Sequence, residues 1–311
     1  MKYSRFHGVI VFVALAAFNS LFSSNARPAL GQSPSSGKPA GSDQSRVKST
    51  VLVPKGSNDS ALNASAPAAA HNAALSTELI WTFGSKEQHG WYLYTSLIKR
   101  TIDTKDDPSS KGFAAALARW QQKAGLKPSG VLDEASLYAI VAQWQAARIK
   151  DRTPALPEAL LTAPTSDYFD PARLDELRQV ERATYAAYKR MVAAALADRS
   201  LRLAGGSKGQ LAADERFLKI ISSFRSREYQ EKLRRESPQA GTAGLAINSP
   251  HFTGRALDLY VGGEPVSTND ANRALQVQTP VYQWLVKNAE RFGFRPYFYE
   301  PWHWEYVGEN K

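Results

Sequence analysis

Apolar residues recur at helical spacing in the middle of the chain and predict a small helical module there. Two short amphipathic helices are expected between residues 112 and 145, because apolar side chains in this stretch lie three or four positions apart. Gly125 is suited to close the first helix, and Asp133 to cap the second. The turn between them is expected at residues 128–130, where proline and glycine stand.

Beyond residue 171 the pattern mixes helical periodicity with short apolar runs typical of strands. The helix predicted at 172–199 has an apolar stripe and a charged, solvated face. Ser226 can cap the helix predicted at 227–235. These elements predict an α+β fold, in which a small N-terminal helical bundle precedes a domain with a mainly antiparallel sheet. Helices are expected at residues 172–199, 227–235 and about 280–292, and strands at 217–223, 256–261 and 297–307.

The first 77 residues lack such a pattern. Residues 1–26 are typical of an export signal peptide, with basic residues before an apolar run and small residues after it. The run is shorter than the roughly 20 residues that span a bilayer, so we favour cleavage over a permanent anchor. Residues 27–77 are rich in Ser, Ala, Pro and Gly and are expected to form a disordered, low-complexity linker. Residues 151–171 contain several prolines and are predicted to form a second linker. The helical module is therefore expected at 78–150, and the C-terminal domain at 172–311.

Composition narrows the functional classes. The 311 residues include 39 Lys and Arg against 29 Asp and Glu, a formal net charge of +10, but no dense basic block interleaved with aromatics. Such a basic surface could suit nucleic acid, anionic lipid or an acidic polymer, and the missing basic block makes nucleic acid the weaker interpretation. The chain has no cysteine, which excludes disulfides, thiolate zinc sites and cysteine nucleophiles. A transition-metal site would have to use His, Asp or Glu.

Two of the five histidines stand close to carboxylates in the C-terminal domain. His251 precedes Asp258, which lies among apolar residues of a predicted strand, and Glu300 precedes His303. A buried carboxylate is costly unless it is paired or binds a metal. Two imidazoles, an aspartate and a spare glutamate are the parts of a catalytic zinc site.

The backbone must bend at two places for these groups to meet. Gly254 allows the histidine loop before the strand to turn over it. Glu300 and the histidine after it would face opposite sides of a regular strand, so a bulge is expected at Pro301. Structural alternatives stay open here: Asp258 could accept backbone N–H bonds from a loop, and His303 could be a hydrogen-bonded histidine among aromatic residues.

Three motifs stand in order along the C-terminal domain: Ser223-Phe224-Arg225-Ser226, Ser249-x-His251-x-x-Gly254-x-Ala256-x-Asp258 and Glu300-x-Trp302-His303. Together they resemble the signature of the VanY-type zinc D-alanyl-D-alanine carboxypeptidases. Phe224 and Ser223 stand where the family has Tyr and Gly, while the arginine after them is kept. The resemblance covers about residues 170–307 and implies a hedgehog/D,D-peptidase-like fold.

The resemblance also implies roles for individual residues. His251, Asp258 and His303 would bind zinc, which would lower the pKa of a bound water to about 7. Glu300 would be the general base, taking a proton from the water and passing it to the leaving amine.

Further residues receive roles from the same resemblance. Arg225 would polarise the scissile carbonyl or stabilise the oxyanion; Arg227 is an alternative by position, but it falls inside the next predicted helix. Ser249 and Trp302 would shape the substrate pocket. Glu305 matches no ligand position and is expected at the surface or behind a ligand.

The helical module resembles the peptidoglycan-binding domain family. The likeness lies in residues 118–133, with an aromatic–Gln pair at Trp120 and Gln121, a Gly-Leu step, a glycine-containing turn and a helix that opens after it. This resemblance implies that residues 78–150 bind the cell wall. A module that only packs on its neighbour is the alternative.

Together these features predict an exported zinc peptidase that cleaves peptidoglycan stem peptides, most simply a D-alanyl-D-alanine carboxypeptidase. Alternatives are an endopeptidase of the same fold or a catalytically silent wall-binding adaptor, although the three ligands, the base and the arginine are all present. The expected location is the periplasm or the cell wall and extracellular space. A monomer is expected, with Zn²⁺ as the cofactor, D-Ala-D-Ala termini as substrate, no nucleic acid and no permanent membrane span.

Overall fold

The computed structural model describes residues 57–84, 86–236 and 248–309. The predicted signal at 1–26 and the predicted linker up to residue 56 lie outside these residues. Helices and antiparallel sheets both occur, which confirms the α+β class. Among the described residues, no helix combines the length and the apolar character needed to cross a membrane.

In the described residues, the N-terminal module contains four α-helices and a two-stranded antiparallel hairpin. Its elements are α1 (Ser57–Glu78), β1 (Ile80–Phe83), β2 (Lys86–His89), α2 (Thr95–Thr101), α3 (Lys111–Lys123) and α4 (Glu134–Ala146). As predicted, Gly125 adopts a positive φ of 72° just after α3, and Asp133 accepts a backbone N–H in the first turn of α4. The buried Gln121 holds the intervening turn, because it accepts the N–H of Gly130 at 2.8 Å and donates to the carbonyl of Val131 at 2.9 Å.

Helix α1 corrects the prediction of a disordered linker that extends to residue 77. The helix packs against α3. The side chain of Asn72 is fully buried, donates to the carbonyl oxygen of Gly130 and accepts the N–H of Leu132, both at 2.8 Å. His71 beside it is exposed. Low-complexity composition was misleading here because an alanine-rich segment is a good helix former once a neighbour supplies the apolar surface that it lacks.

The C-terminal domain is built around a four-stranded antiparallel sheet. Its elements are β3 (Leu160–Thr162), β4 (Gln179–Glu181), α5 (Arg182–Ala197), β5 (Ile220–Ser222), α6 (Arg227–Glu236), β6 (Ala256–Leu259), α7 (Asp270–Gln278), α8 (Pro280–Asn288), β7 (Phe294–Pro296) and β8 (His303–Tyr306). The strand order is β5-β6-β8-β7, and β3 pairs with β4 in a separate sheet. Asp258 stands opposite His303 on one side and Ser222 on the other, which aligns three polar residues across the sheet.

Two predicted boundaries differ from the structure. The helix expected from residue 172 begins at Arg182, because the Glu181 carboxylate caps its first turn and the residues just before it form β4. The segment 151–171, expected as a linker, contains β3, and the N–H of Phe169 donates to the carbonyl of Ile220 at 2.9 Å. Strand β3 pairs with β4, so the segment is a packed part of the domain.

The predicted strand at 297–307 is also shorter, since only His303–Tyr306 is extended. Residues 297–302 form a turn between β7 and β8. The N–H of Glu300 donates to the carbonyl of Tyr297, and the carbonyl of Glu300 accepts the N–H of His303 at 2.9 Å. Pro301 lies within this turn, where its missing N–H is not needed. The turn replaces the bulge that we expected at Pro301.

One hydrophobic core runs through the module and the C-terminal domain. The ring of Phe298, in the 297–302 turn, lies 4.6 Å from Phe83, 5.2 Å from Tyr94 and 5.5 Å from Trp144 of the module, measured between ring centroids. Arg273 of α7 donates to the hydroxyl of Tyr94 at 2.7 Å. The predicted boundary therefore does not separate two independent cores, and the module packs directly on the turn that carries Glu300.

Replacing the residue that docks α1 tests whether this helix belongs to the folded unit. Asn72→Ala leaves two buried backbone groups unpaired, and we expect it to lower the free energy of unfolding by roughly 1–3 kcal/mol. Urea unfolding of the full chain measures the difference. The matched control is His71→Ala, an exposed neighbour in the same helix, which should change stability by less than about 0.5 kcal/mol. Equal stabilities of the two variants would mean that α1 does not dock in solution.

Candidate metal centre

Asp258 lies in the middle of β6 with its side chain fully buried. Its Oδ1 is 2.9 Å from His303 Nδ1, and its Oδ2 is 3.3 Å from His251 Nε2. The two imidazole rings are 5.0 Å apart between centroids and are inclined by 73°. One ligand atom from each of the three residues lies within 4.8 Å of the others. This group could hold a metal ion, and the structure brings together the three residues that the sequence predicted.

The loop before β6 presents His251 with a defined ring orientation. The histidine lies in a short 3₁₀ helix, Pro250–Thr253, whose first turn is capped by the hydroxyl of Ser249. Its Nδ1 is 2.6 Å from the carbonyl oxygen of Ser223. A carbonyl oxygen only accepts, so Nδ1 carries the proton and Nε2 keeps the lone pair. Within the described part of the chain, this buried Nε2 has no hydrogen-bond partner.

Gly254 turns the loop into the strand, as predicted. Its φ is +66°, which favours glycine, and a Cβ atom there would lie 2.8 Å from the side chain of Leu160. Its carbonyl oxygen also accepts the N–H of Glu181 at 3.1 Å. The segment around β3 and β4 therefore holds the histidine loop against the sheet.

In His303 the two ring nitrogens have exchanged places relative to His251: Nε2 bonds away from the centre and Nδ1 faces Asp258. Its Nε2 is 3.2 Å from the Glu305 carboxylate, which leaves Nδ1 directed at Asp258. Each histidine thus has one nitrogen bonded away from the centre and the other facing the aspartate. Carboxylate and carbonyl partners of this kind fix ring orientation in metal sites.

Arg225 is the buried cation of the centre. Its Nη2 donates to Asp258 Oδ2 at 3.2 Å, and its Nε and Nη2 donate to the hydroxyl of Ser222. Its Nη1 is buried and has no partner among the described residues. The predicted alternative, Arg227, is exposed on α6 and stacks over the ring of Phe252, so the structure favours Arg225 for a role at the site.

Glu300 is fully buried beside these groups, and neither carboxylate oxygen has a hydrogen-bond partner in the described chain. Burial raises its pKa to about 7; nearby Asp258 also raises it, whereas His303 lowers it. A carboxyl group that is half protonated near neutrality suits proton transfer in both directions.

The charges around Asp258 are tightly coupled. Burial alone would raise the pKa of Asp258, but its contacts with His251 and His303 hold it well below its usual range. Burial lowers the pKa of His251 to about 4 despite the attraction of Asp258, so this imidazole is neutral near pH 7. Burial would also lower the pKa of His303, but hydrogen bonds to Asp258 and Glu305 raise it to about 9.

The sequence left the place of Glu305 open between the surface and a position behind a ligand, and the structure places it behind His303. The carboxylate is fully buried and accepts hydrogen bonds from the guanidinium of Arg148 and, at 2.8 Å, from the N–H of Ile149. Burial would raise its pKa, but Arg148 and His303 hold the pKa well below its usual value. A residue two positions after His303 in a strand shares its face, and that spacing was the available signal. No sequence pattern pointed to Arg148.

The two predicted pocket residues are both buried. Ser249 caps the 3₁₀ helix of His251, and the indole of Trp302 is fully enclosed with its Nε1 unpartnered among the described residues. Ser249 therefore positions a candidate ligand. The substrate-binding role expected of both residues stays a prediction.

The fold and the site define the class of this domain: an α+β domain with a two-histidine, one-aspartate centre beside a buried glutamate and arginine. Residues 178–309 match the family model VanY, described as D-alanyl-D-alanine carboxypeptidase. This part of the chain is therefore a VanY-type domain, a D-alanyl-D-alanine carboxypeptidase-like peptidase. A search of curated proteins gives no match. The resemblance of the helical module to peptidoglycan-binding domains stays a prediction.

The burial of Glu300 predicts a stability cost that depends on pH. Because its folded pKa of about 7 exceeds the ordinary glutamate pKa of 4.5, the folded state binds more protons between these values, and its stability falls as pH rises through this window. We expect Glu300→Gln to stabilise the metal-free protein at pH 8 by on the order of 3 kcal/mol, and to have little effect at pH 4. Urea unfolding with a chelator present measures both differences.

The control for this prediction is Glu231→Gln, which removes an exposed carboxylate on α6 and should leave the pH dependence unchanged. If Glu300→Gln destabilised the metal-free protein at pH 8, the carboxylate would have a partner that its buried position does not indicate.

Proposed function

We propose that this protein is an exported, zinc-dependent D,D-carboxypeptidase that releases the terminal D-alanine from peptidoglycan stem peptides. The observation that carries the proposal is the convergence of His251, Asp258 and His303 within a VanY-type domain, next to a buried and unpartnered Glu300. The VanY family is generally zinc-dependent. Two imidazoles and one carboxylate are also a known set of protein ligands in catalytic zinc sites.

The unpartnered atoms support the presence of an ion. His251 Nε2 is buried without a hydrogen bond within the described chain, which is costly unless a further group binds it. His303 Nδ1 faces the same aspartate, and both rings have their other nitrogen bonded outside the centre. When bound there, zinc would polarise the scissile carbonyl and lower the pKa of a water.

The remaining groups have roles that follow from their environment. Glu300, with a pKa of about 7, can accept a proton from the attacking water and donate it to the leaving amine. Arg225 is fixed by Ser222 and Asp258 and keeps Nη1 free for an oxygen that gains negative charge. Donors of this kind typically contribute ~10²–10³-fold in kcat.

Release of a single residue distinguishes the carboxypeptidase from the two alternatives. An endopeptidase would cut within a stem or crosslink and release larger fragments, and a silent adaptor would release nothing. The adaptor is disfavoured because the three candidate ligands converge on one centre, Arg225 bonds to Asp258, and Glu300 is buried nearby. Mass analysis of products from defined muropeptides separates the three outcomes.

The proposal also includes location and wall binding. Export rests on the signal-like residues 1–26 and on a cell-wall substrate. For the helical module, binding to peptidoglycan is supported by the family resemblance and by the net charge of +10, which favours an anionic envelope. A groove beside the module helices is lined by Trp120, by the charged and polar Arg119, Lys123, Asp103 and Gln143, and by small apolar residues, a mixed set compatible with a glycan or peptide. A wall-binding surface there would raise the local substrate concentration.

Two substitutions separate the base from the ligands. Glu300→Gln should retain zinc and the fold while D-alanine release falls by roughly 10²–10⁴-fold, because only proton transfer is lost. His303→Ala should lose both zinc and turnover. Zinc is measured by elemental analysis after dialysis, and D-alanine by a coupled assay.

The comparison also requires a variant with unchanged chemistry. Glu231→Gln serves again, since it lies on the exposed face of α6 and should match the parent in zinc content and rate. Loss of zinc in Glu300→Gln would show that the glutamate is a ligand and would overturn the assignment of the base.

A further inference from the structure

The candidate metal centre is connected to the helical module by one arginine. Arg148 follows α4 and lies outside the residues 178–309 that match the VanY family. Its guanidinium donates through Nε at 2.9 Å and through Nη2 to the same oxygen of Glu305, 157 positions later in the chain. The next backbone N–H, that of Ile149, donates to the other oxygen at 2.8 Å. The end of the module therefore binds both oxygens of this carboxylate.

Glu305 in turn bonds the ring of a candidate ligand. Its Oε1 is the atom that lies 3.2 Å from His303 Nε2, while Nδ1 of that ring lies 2.9 Å from Asp258. Arg148 is only 9% exposed at its side chain, and Glu305 and His303 are essentially enclosed. A charge in this setting costs much free energy unless it is paired. Without the arginine, the buried Glu305 carboxylate would lose the cation that is hydrogen-bonded to it and would keep its bonds with His303 and with the N–H of Ile149.

The same arginine also contacts the turn that carries Glu300. Its guanidinium lies over the ring of Tyr297 at 3.9 Å from the centroid, and Phe298 next to it packs among module aromatics. The module thus reaches the site by two routes, one through Glu305 and one through the 297–302 turn.

We propose that the N-terminal module completes the metal centre: Arg148 is a positioning residue that fixes the Glu305 carboxylate, which orients His303 for metal binding. The proposal rests on the zinc centre proposed above. It assigns the module a part in building the site that is separate from any wall binding. Arg148 acts through Glu305 and touches neither substrate nor metal.

A double-mutant cycle in the full-length protein tests the coupling from Arg148 through Glu305 to His303. We expect Arg148→Met to weaken zinc binding by up to roughly 10–100-fold, the usual effect of losing the partner of a metal-ligating histidine, because Glu305 would no longer be fixed beside His303. In a Glu305→Gln background, whose amide oxygen can still accept from His303, adding Arg148→Met should have little further effect. Arg148→Lys, which keeps the charge but lacks the planar fork, should lie between parent and Arg148→Met. Zinc affinity is measured by competition with a chromophoric chelator.

A metal-free measurement keeps the inference separate from the proposed function. In the chelated parent, NMR should show the His303 Nε2–H correlation, protected from water by Glu305; in Arg148→Met it should be lost through exchange. If the parent bound no zinc, the proposed function would fail, and this NMR comparison would still decide the role of Arg148. If Arg148→Met does not fold, two comparisons remain. Glu305→Gln is compared with the Arg148→Met, Glu305→Gln double variant, in which neither charge is left unpaired. Arg148→Lys is compared with the parent.

The matched control is Arg100→Met. Arg100 also crosses from the module to the C-terminal domain, where it pairs with Glu290, but it is about a third exposed and, among the described residues, makes no hydrogen bond or ion pair with the centre. It should leave zinc affinity and the His303 signal unchanged. The inference is overturned if Arg148→Met binds zinc as tightly as the parent, if it weakens binding equally in both Glu305 backgrounds, or if Arg100→Met has the same effect.

Discussion

The structure depends on the cost of burying the Asp258 carboxylate in the middle of a sheet. Strand pairing places it opposite His303 and Ser222, and the histidine loop closes over it with His251. Arg225 supplies the permanent positive charge at 3.2 Å. A buried anion is tolerated only when such partners surround it. The need to compensate the buried aspartate therefore also favours the geometry of a metal site, because the two histidines beside Asp258 could bind a cation together with it.

Compensation of charge continues from this centre into the module. His303 lies between the carboxylates of Asp258 and Glu305, and Glu305 lies between His303 and Arg148. A series of alternating charges of this kind is stable only when it is complete, because removing one side chain would leave its neighbours buried and unpaired. The module and the VanY-type domain consequently share electrostatics as well as a hydrophobic core. A wall-binding surface on the module would be held rigidly relative to the centre.

Glu300 is the exception to this pattern of compensation. Its two oxygens are buried without partners among the described residues, although cationic side chains lie nearby. Stability alone would favour a neutral residue there. A carboxyl group kept near its titration point by burial is what proton transfer at neutral pH needs, and local cost of this kind is common at active sites. Phe298 packs this turn against aromatic residues of the module.

Local chemistry could be predicted from the sequence: the strand around Asp258, the positive φ at Gly254, the caps at Asp133 and Ser226, and the order of the VanY-type motifs. Such features depend on residues a few positions apart, so spacing alone reveals them. Other features required the tertiary structure. Helix α1 is stabilised by a buried Asn72 whose partners lie 58 and 60 positions away, Pro301 takes part in a turn closed by strand pairing, and Arg148 meets Glu305 across 157 positions. These contacts are decided by packing and by the pairing of buried charges, and neither leaves a periodic trace in the chain.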